Sequence, residues 1–464
     1  MEEKDVVVIG GGPAGYVAAI RVMQLGGKAA LIEEESLGGT CIKRGCIPTS
    51  VLVRGTEFLE MPGKARDYGI TLKVEEVNLA RMMARKDTVV KTVTGGLDLL
   101  VKGNGVEVLK GRGRLLSARE VELRQEGGAC TKISARQVII ATGSRIRKPL
   151  FTGAEESITT DQALDLKEIP RSVLIVGDGT VAFTFAAIFN RLGTQVTVIT
   201  GSSRILPGVD QEIVTLFLRE MKKSKVIVHP RSSIQSVVGN REGQKAVTAV
   251  IDGKETTLTC HYVLMAEERE ANVDGLGLDA AGVKEGASGI AVNSRMETSV
   301  PGVFAAGDAT GGRLAHVAFA EGKVAAENAL GKDVRMDYAA IPKCLNTIPE
   351  IASVGLTEEE AVGQGHSLQI GRFPFAANGM ATILGERSGL VKIIADSRYG
   401  QTLGVHMIGP QASNLIPESV LAMKVEATPQ EIGSAIHIHP SLSEALMEAA
   451  MAVTHESIHS LPSG

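Results

Sequence analysis

An α/β fold, with two Rossmann-like dinucleotide-binding domains and an α+β C-terminal domain, is what this 464-residue chain predicts. Three observations predict it. A strand, glycine loop, helix and second strand open the chain. The same pattern recurs from residue 172. After Gly331 the periodicity changes to short strand-like runs followed by helices.

In the first unit, Asp5 to Ile9 is a continuous apolar run, the pattern of a strand buried on both faces. It leads into Gly10-Gly11-Gly12-Pro13-Ala14-Gly15, which matches G-x-G-x-x-G. A helical pattern follows from Tyr16 to Leu25, then a strand from Lys28 to Ile32 closed by Glu33. Gly10, Gly12 and Gly15 let backbone approach a pyrophosphate at the helix N-terminus, and Glu33 is spaced to accept bonds from an adenosine ribose. The second unit runs from the strand Ser172 to Val176 through Gly177, Gly179 and Ala182, a G-x-G-x-x-A loop. A helix to Leu192 and the strand Gln195 to Ile199 complete it. Val138 to Gly143 and Val303 to Asp308 read as strands ending in Ala141-Thr142-Gly143 and Ala306-Gly307-Asp308; each alone is also what a tight turn after a strand looks like.

In the C-terminal part, Ile341 to Leu356, Phe373 to Ala377 and Leu390 to Ala395 read as strands, and Leu415 to Val425 as a helix. A last helix is expected to begin at His439-Pro440-Ser441, since Pro suits a first helical turn. His439 and Glu444 would then lie one and a half turns apart, which a surface helix cap would also explain.

Cys41 and Cys46 stand five apart in Gly38-Gly39-Thr40-Cys41-Ile42-Lys43-Arg44-Gly45-Cys46-Ile47-Pro48, just past the first nucleotide unit. That position makes a redox-active disulfide beside a flavin the leading reading, with two buried free thiols as the alternative. Residues five apart in a regular helix have Cα atoms roughly 8.7 Å apart. A disulfide tolerates at most about 7 Å. The segment must therefore bend or unwind, and Gly45 is the expected place.

Composition narrows the class. The chain is 44% hydrophobic and 22% charged, as a globular protein is, with a net charge of -4 that gives no reason to expect nucleic acid or an anionic membrane as partner. Five Cys with one close pair argue for a reducing compartment, read as cytoplasmic, rather than a disulfide scaffold. No apolar run is long enough to span a bilayer, and Met1 to Lys4 run straight into the first strand with no leader between. Trp is absent and aromatics are 3%, so packing must rest on Val, Ile, Leu and Ala. The His and Cys residues show no metal-ligand spacing such as C-x-x-C. Cys344 reads as a core thiol, Cys130 and Cys260 as surface sheet, and Lys222 to Lys225 as a solvated helix end.

Taken together these motifs resemble the flavin-dependent pyridine nucleotide-disulfide oxidoreductases, and among them the dihydrolipoamide dehydrogenase group. The resemblance runs over nearly the whole length. It includes the Gly10 loop, G-G-T-C-x4-C-I-P to Pro48, Ala141-Thr142-Gly143, Ala306-Gly307-Asp308, Ala315-His316, Ile341-Pro342, Pro349-Glu350 and His437 to Glu444. It implies an FAD-binding domain at 1–148, resumed at 272–336, an NAD(P)-binding-like domain at 149–271 and a dimerisation domain at 337–464. It also implies that FAD is held by Gly10, Gly12, Gly15, Glu33, Thr40, Thr142, Gly143, Asp308 and Ala315, and NAD by Gly177, Gly179 and Ala182. Cys41 would be the interchange thiol and Cys46 the flavin-side thiolate. His439 would be the base, oriented by Glu444 and supplied across a homodimer, acting on a lipoyl-type dithiol that a carrier protein can present. His437 could assist the site or simply pack at the helix entry. The tail 457–464 lacks the Cys pair of mercuric reductases, and Ser441 to Glu444 resembles the lipoamide group more than the glutathione group. Soluble transhydrogenases lack the redox cysteines.

The chain departs from that pattern at chosen places. Ser50 stands where relatives carry Lys, and Thr184 where they carry the Glu that pairs with it. Losing both is coherent, because one buried charge left alone costs about 3–5 kcal/mol. A lower flavin potential and a weaker Cys46 thiolate than in relatives are expected to follow. Asp178 puts a carboxylate in the second glycine loop, Thr200 replaces the strand-end acid, and Glu268 replaces a Gly of the nicotinamide groove, while Arg204 fits either nucleotide. Three readings follow: a dithiol oxidoreductase passing electrons through FAD to NAD⁺, the same enzyme with another acceptor, or a non-catalytic FAD-binding assembly protein. The intact Cys41, Cys46, His439 and Glu444 favour the enzyme.

Overall fold

The structure is a computed structural model that describes residues 3–240, 243–267, 269–312 and 314–460. The chain forms two compact units, and each is discontinuous in sequence: residues 1–52, 80–148 and 268–337 build one, residues 53–79, 149–267 and 338–464 the other.

In the first unit the strand Lys4–Ile9 lies parallel between Ala29–Glu33 and the long strand Cys130–Ile140. The pairing puts Val8 opposite Leu31 on one side and Ile139 on the other. Alternate residues then face opposite cores, as a pleated strand requires. Val6, Val8 and Leu31 pack with Ala14, Ala18 and Ala325 on one side. Val7, Ile9 and Ile32 pack with Leu115, Val121 and Ile133 on the other. The long strand serves two sheets. Its end pairs with Lys4–Ile9 and Val303–Ala305, and its beginning continues the antiparallel strands Glu120–Arg124 and Arg112–Ser117. Small residues substitute for aromatic bulk in the helix layer. A Cβ at Gly322 would stand 2.2 Å from the Ala14 carbonyl oxygen, so the helices Pro13–Gln24 and Ala315–Ala329 meet at backbone contact.

The second unit holds a five-stranded parallel sheet in the order Ile227–His229, Gln195–Ile199, Ser172–Val176, Tyr262–Met265, Ile158–Thr159. A three-stranded antiparallel sheet, Ser233–Gly239, Lys245–Ile251 and Lys254–Cys260, is inserted before its last-formed central strand. The C-terminal part is an antiparallel five-stranded sheet in the order Lys343–Leu345, Glu350–Gly355, Thr402–Gly409, Leu390–Asp396, Leu368–Pro374. The helices Ala412–Lys424 and Glu444–Val453 cover it, with Val391, Ile393, Val405, Met407, Ala445 and Leu446 in one core.

Several expected boundaries shift. The expected strand Ile341 to Leu356 is two strands broken at 346–349, where Pro349 has no N–H to give a ladder. Phe373 to Ala377 is the end of a strand followed by the 3-10 turn Phe375–Ala377. Val303 to Asp308 stops as a strand at Ala305, because Gly307 at φ +72° turns the chain into the 3-10 segment Gly307–Thr310. The last helix begins at Glu444 and not at His439; residues 439–443 are irregular, with a cis bond between His439 and Pro440. Cys260 is buried rather than on the sheet surface.

Candidate redox centre and nucleotide sites

The first glycine loop is shaped by contact. Gly10 leaves its strand at φ +103°, and a Cβ there would stand 2.3 Å from the Ala141 carbonyl oxygen. A Cβ at Gly15 would stand 1.7 Å from the Gly10 oxygen, so only glycine lets the helix sit on the loop. Gly12 caps the helix Pro13–Gln24, which turns a helix N-terminus toward the crevice, the place where an anion is favoured. Gly39, at φ +56°, faces Gly12 so closely that a Cβ would stand 2.8 Å from its Cα. Glu33 ends its strand with both carboxylate oxygens oriented: Oε2 accepts from Gly11 N at 2.7 Å and Oε1 from Glu35 N at 2.7 Å.

The two short strand-end motifs meet the same crevice wall. Thr142 Oγ1 donates to the Asn272 carbonyl at 2.8 Å, and Gly143 turns at φ +72°. Asp308 Oδ2 accepts from Ser144 Oγ at 2.6 Å, and Gly307 N donates to the buried Glu321 at 2.7 Å. Ala315 starts the helix Ala315–Ala329. Arg269, which sequence reading passed over, bridges this wall. Its Nε donates to Ser144 Oγ at 3.0 Å and its Nη2 to the Ser144 carbonyl at 2.9 Å and Thr40 Oγ1 at 3.4 Å. Its only signal was its neighbour Glu268, which itself lies outside the described residues. Glycines that a Cβ would obstruct, a helix N-terminus and a strand-end carboxylate form a donor set that fits a dinucleotide such as FAD.

The cysteine segment bends where expected. Cys41 lies in the short helix Gly39–Lys43, the chain breaks at Arg44-Gly45, and Cys46 opens the helix Cys46–Glu57. Both thiols are free and hydrogen-bonded to each other. The bond from Cys41 brings the Cys46 thiol down to about 7, against the opposing pull of burial and of the Asp308 charge; its own backbone N–H helps. The same bond, burial and the Cys46 charge push Cys41 up. Ser50 lies half-buried in the helix after Cys46.

In the second unit Gly177 turns at φ +148°, where a Cβ would stand 2.5 Å from the Ala266 oxygen. Gly179 caps the helix Thr180–Arg191, and Ala182 and Thr184 are buried within it. Thr200 is buried, Asp178 half-buried, and Arg204 is ion-paired with Glu359.

The His439–Glu444 pair, also in this unit, is made. His439 Nδ1 donates to Glu444 Oε1 at 2.8 Å, and the other carboxylate oxygen accepts from Ser441 N at 2.8 Å. Nε2 then carries the ring's lone pair, and the His439 side chain is 81% exposed. Burial alone would raise the Glu444 carboxyl, but the bonds from His439 and the Ser441 N–H win and hold it below its ordinary value. Asn378 Nδ2 fixes the Ser441 carbonyl at 3.0 Å. His437 is not at a helix entry: Nε2 meets Glu418 at 2.9 Å and Nδ1 donates to the Ala435 carbonyl.

Residues 4–322 match the pyridine nucleotide-disulphide oxidoreductase family, and residues 341–450 match that family's dimerisation domain. The chain belongs to the pyridine nucleotide-disulphide oxidoreductases. It is 41% identical to the dihydrolipoyl dehydrogenase of Thermus scotoductus, over 99% of this chain and all of that one. It is 39% identical to a dihydrolipoyl dehydrogenase of Bacillus subtilis, over 98% and 99%. Among solved structures, LpdA from Mycobacterium tuberculosis superposes with a TM-score of 0.89 at 27% identity, over 97% of this chain and 99% of that one. The chain is thus a dihydrolipoyl dehydrogenase-like flavin disulfide oxidoreductase that carries the family's dimerisation domain. No helix among the described residues is long and apolar enough to cross a membrane.

Proposed function

We propose that this oxidoreductase oxidises a dihydrolipoyl-type dithiol, free or on a carrier protein in the cytoplasm, through a Cys41–Cys46 disulfide, and passes the electron pair by way of FAD to a pyridine nucleotide. The observation that carries the reading is the placement of the two cysteines: they flank the Arg44-Gly45 break, where a Cβ at Gly45 would stand 3.6 Å from Cys41 Cα, next to the Gly10–Gly15 crevice. A leaving thiol should be the more acidic of the pair, and that is Cys46.

The catalytic cycle begins with the disulfide formed. His439 Nε2 takes the proton from one substrate thiol, and Glu444, holding Nδ1–H, stabilises the imidazolium that results. The substrate thiolate attacks Cys41 Sγ. The Cys41–Cys46 bond breaks and Cys46 leaves as thiolate, favoured by its lowered proton affinity. The second substrate sulfur, deprotonated in turn, attacks the first and displaces Cys41, which recovers a proton because its own affinity is raised. The substrate has lost two electrons and two protons; the enzyme holds both electrons on Cys41 and Cys46. FAD would be held by Gly10, Gly12, Gly15, Glu33, Thr40, Thr142, Gly143, Asp308 and Ala315, and would supply the two-electron acceptor for the reduced cysteine pair. By likeness to the family, His439 and Glu444 of the partner subunit serve each site, so the working form is the homodimer. The domain limits proposed are 1–148 with 272–336 for FAD, 149–271 for the nucleotide and 337–464 for dimerisation.

Rapid mixing of the oxidised holoenzyme with dihydrolipoamide tests this. Flavin bleaching with long-wavelength charge-transfer absorbance is expected. A flavin spectrum that does not change would overturn the reading in favour of a non-catalytic flavoprotein.

A further inference from the structure

The two glycine loops of this chain can be compared bond for bond. Gly10 N donates to the Ile32 carbonyl at 2.8 Å, and Gly177 N to the Ile199 carbonyl at 3.0 Å. Ala141 N donates to the Ile9 carbonyl at 2.8 Å, and Ala266 N to the Val176 carbonyl at 2.8 Å. Gly38 N reaches the Gly11 carbonyl at 2.9 Å, and Leu206 N the Asp178 carbonyl at 2.8 Å. Each loop ends in a glycine N-cap with extended backbone, before a helix of 12 residues. Asp178 therefore occupies the place of Gly11, and Thr200 the place of Glu33.

Those two places face each other. In the first unit a Cβ at Gly11 would stand 3.0 Å from Glu33 Oε2, 3.3 Å from Glu33 Cβ and 2.6 Å from Leu37 Cδ2. A side chain on the loop therefore points at the strand-end side chain, and the two lie in direct contact. The second unit has made the reverse choice at both positions. Thr200 keeps the local turn bond, since its Oγ1 accepts from Ser202 N at 3.1 Å as Glu33 Oε1 accepts from Glu35 N at 2.7 Å. It gives up the carboxylate. Asp178 carries one at the loop position from which, in the first unit, a Cβ points at Glu33.

We propose that Asp178 is the adenosine-ribose ligand of the second nucleotide site, and that it selects a dinucleotide whose 2′-hydroxyl is unphosphorylated, that is NAD rather than NADP. The inference rests on the reading of this unit as a pyridine-nucleotide site. A carboxylate accepts from both hydroxyls of a vicinal diol and repels a 2′-phosphate. The surroundings reinforce the choice. Arg204, the cation that could welcome a 2′-phosphate, is ion-paired with Glu359. The groove beside it is lined by Glu360 as well, and by Asp210, Glu212 and Glu358, which share the buried Lys392 ammonium. Asp178 and Thr200 thus form one compensated exchange, and the site retains the nucleotide class that the loss of the strand-end acid alone would have called into question.

The test is calorimetric titration of the oxidised holoenzyme with ADP-ribose and with 2′-phospho-ADP-ribose, neither of which can take electrons. The wild-type chain is expected to bind ADP-ribose at least about tenfold more tightly. Both Asp178→Gly and the same-shape Asp178→Asn should weaken ADP-ribose by about 10- to 100-fold, the range for hydrogen bonds to a charged acceptor. Neither should weaken the phosphorylated ligand. Asp178→Gly combined with Thr200→Glu should recover ADP-ribose binding, because it returns the carboxylate to the strand end. Unchanged binding in the single variants, a wild-type preference for the phosphorylated ligand, or binding of neither ligand would overturn the proposal. Flavin bleaching by dihydrolipoamide without nucleotide reads the dithiol reaction separately, so the two readings fail independently.

Discussion

The ammonium of Lys392 lies 2.9 Å from Oδ1 and 3.0 Å from Oδ2 of Asp210, with both side chains almost wholly buried. Glu358 and Glu212 close the cluster at 2.6 and 3.1 Å. Asp210 also caps the helix Gln211–Lys223 through Glu212 N, so one carboxylate joins that helix to the strand Leu390–Asp396. Replacing Lys392 with Met removes the cation and strands the acid. The expected loss is about 3–5 kcal/mol in urea unfolding, the range for breaking a buried pair from one side. Lys392→Met together with Asp210→Asn should recover part of it. A single variant as stable as the parent would show the pair to be inert.

His406 sits against this cluster and gives stability a pH dependence. Its Nε2 donates to the Leu356 carbonyl at 2.8 Å, while Nδ1 is buried among the described residues with no partner. Burial, the largest influence, lowers its proton affinity, outweighing the pull of the Leu356 carbonyl and the Asp210 charge; Lys392 adds to the lowering. A depressed histidine is neutral in the fold and protonated in the unfolded chain just below its ordinary value. Stability should therefore fall as pH drops below about 6.5, by up to about 1.4 kcal/mol per pH unit for one proton. His406→Gln, whose amide can still donate to Leu356, should flatten that slope when unfolding is followed from pH 7 to 5. An equal slope in both chains would remove His406 as the source.

How much of this was legible in sequence depends on what held each element. The strands Ser172–Val176 and Gln195–Ile199 fall on the expected residues, because a strand buried on both faces is a continuous apolar run ended by a glycine turn. The break before Cys46 was likewise readable from spacing and from Gly45. The onset of the last helix was not. Its position depends on Asn378, 63 residues away, taking the Ser441 carbonyl, and on Glu444 reaching back to the Ser441 N–H. The Asn378 bond takes the carbonyl that a helix starting at Pro440 would have used, and the Glu444 bond holds the Ser441 N–H outside any helix. Arg269 escaped notice for the same reason: its bonds to Ser144 and Thr40 span 125 and 229 residues.

The polarisation of Cys46 makes a spectroscopic prediction. Its lowered proton affinity depends first on the hydrogen bond from Cys41. Cys41→Ala removes the donor and leaves the Cys46 backbone N–H alone to favour the thiolate against burial and the Asp308 charge. Thiolate absorbance of the reduced protein should titrate near pH 7 in the parent, and the midpoint should move up toward 9 in the variant. Folding shifts the group the same way in linkage terms: the depressed thiol favours the native state above its ordinary value and loses that contribution as pH falls through about 7. A midpoint that stays near 7 in Cys41→Ala would assign the lowering to another donor.

Glu444 and His439 should behave as one unit. The carboxylate holds Nδ1–H and the Ser441 N–H at once, so it sets both the ring's tautomer and the path of the chain that carries the ring. His439→Ala removes the proposed base and should lower kcat with dihydrolipoamide by about 10²- to 10⁴-fold, the usual worth of a placed proton acceptor. Glu444→Gln keeps one oxygen to accept from Nδ1–H, but it loses the bond from the Ser441 N–H and the charge that stabilises the imidazolium; with the ring still held, its loss should be smaller than that of His439→Ala. The decisive comparison is the double variant. With the imidazole gone, the charge has nothing to orient or stabilise, and Glu444→Gln should cost almost nothing further in kcat. Additive losses would mean that the two residues act on the reaction separately, through different groups. An unaltered flavin spectrum in each variant would keep the comparison free of cofactor loss.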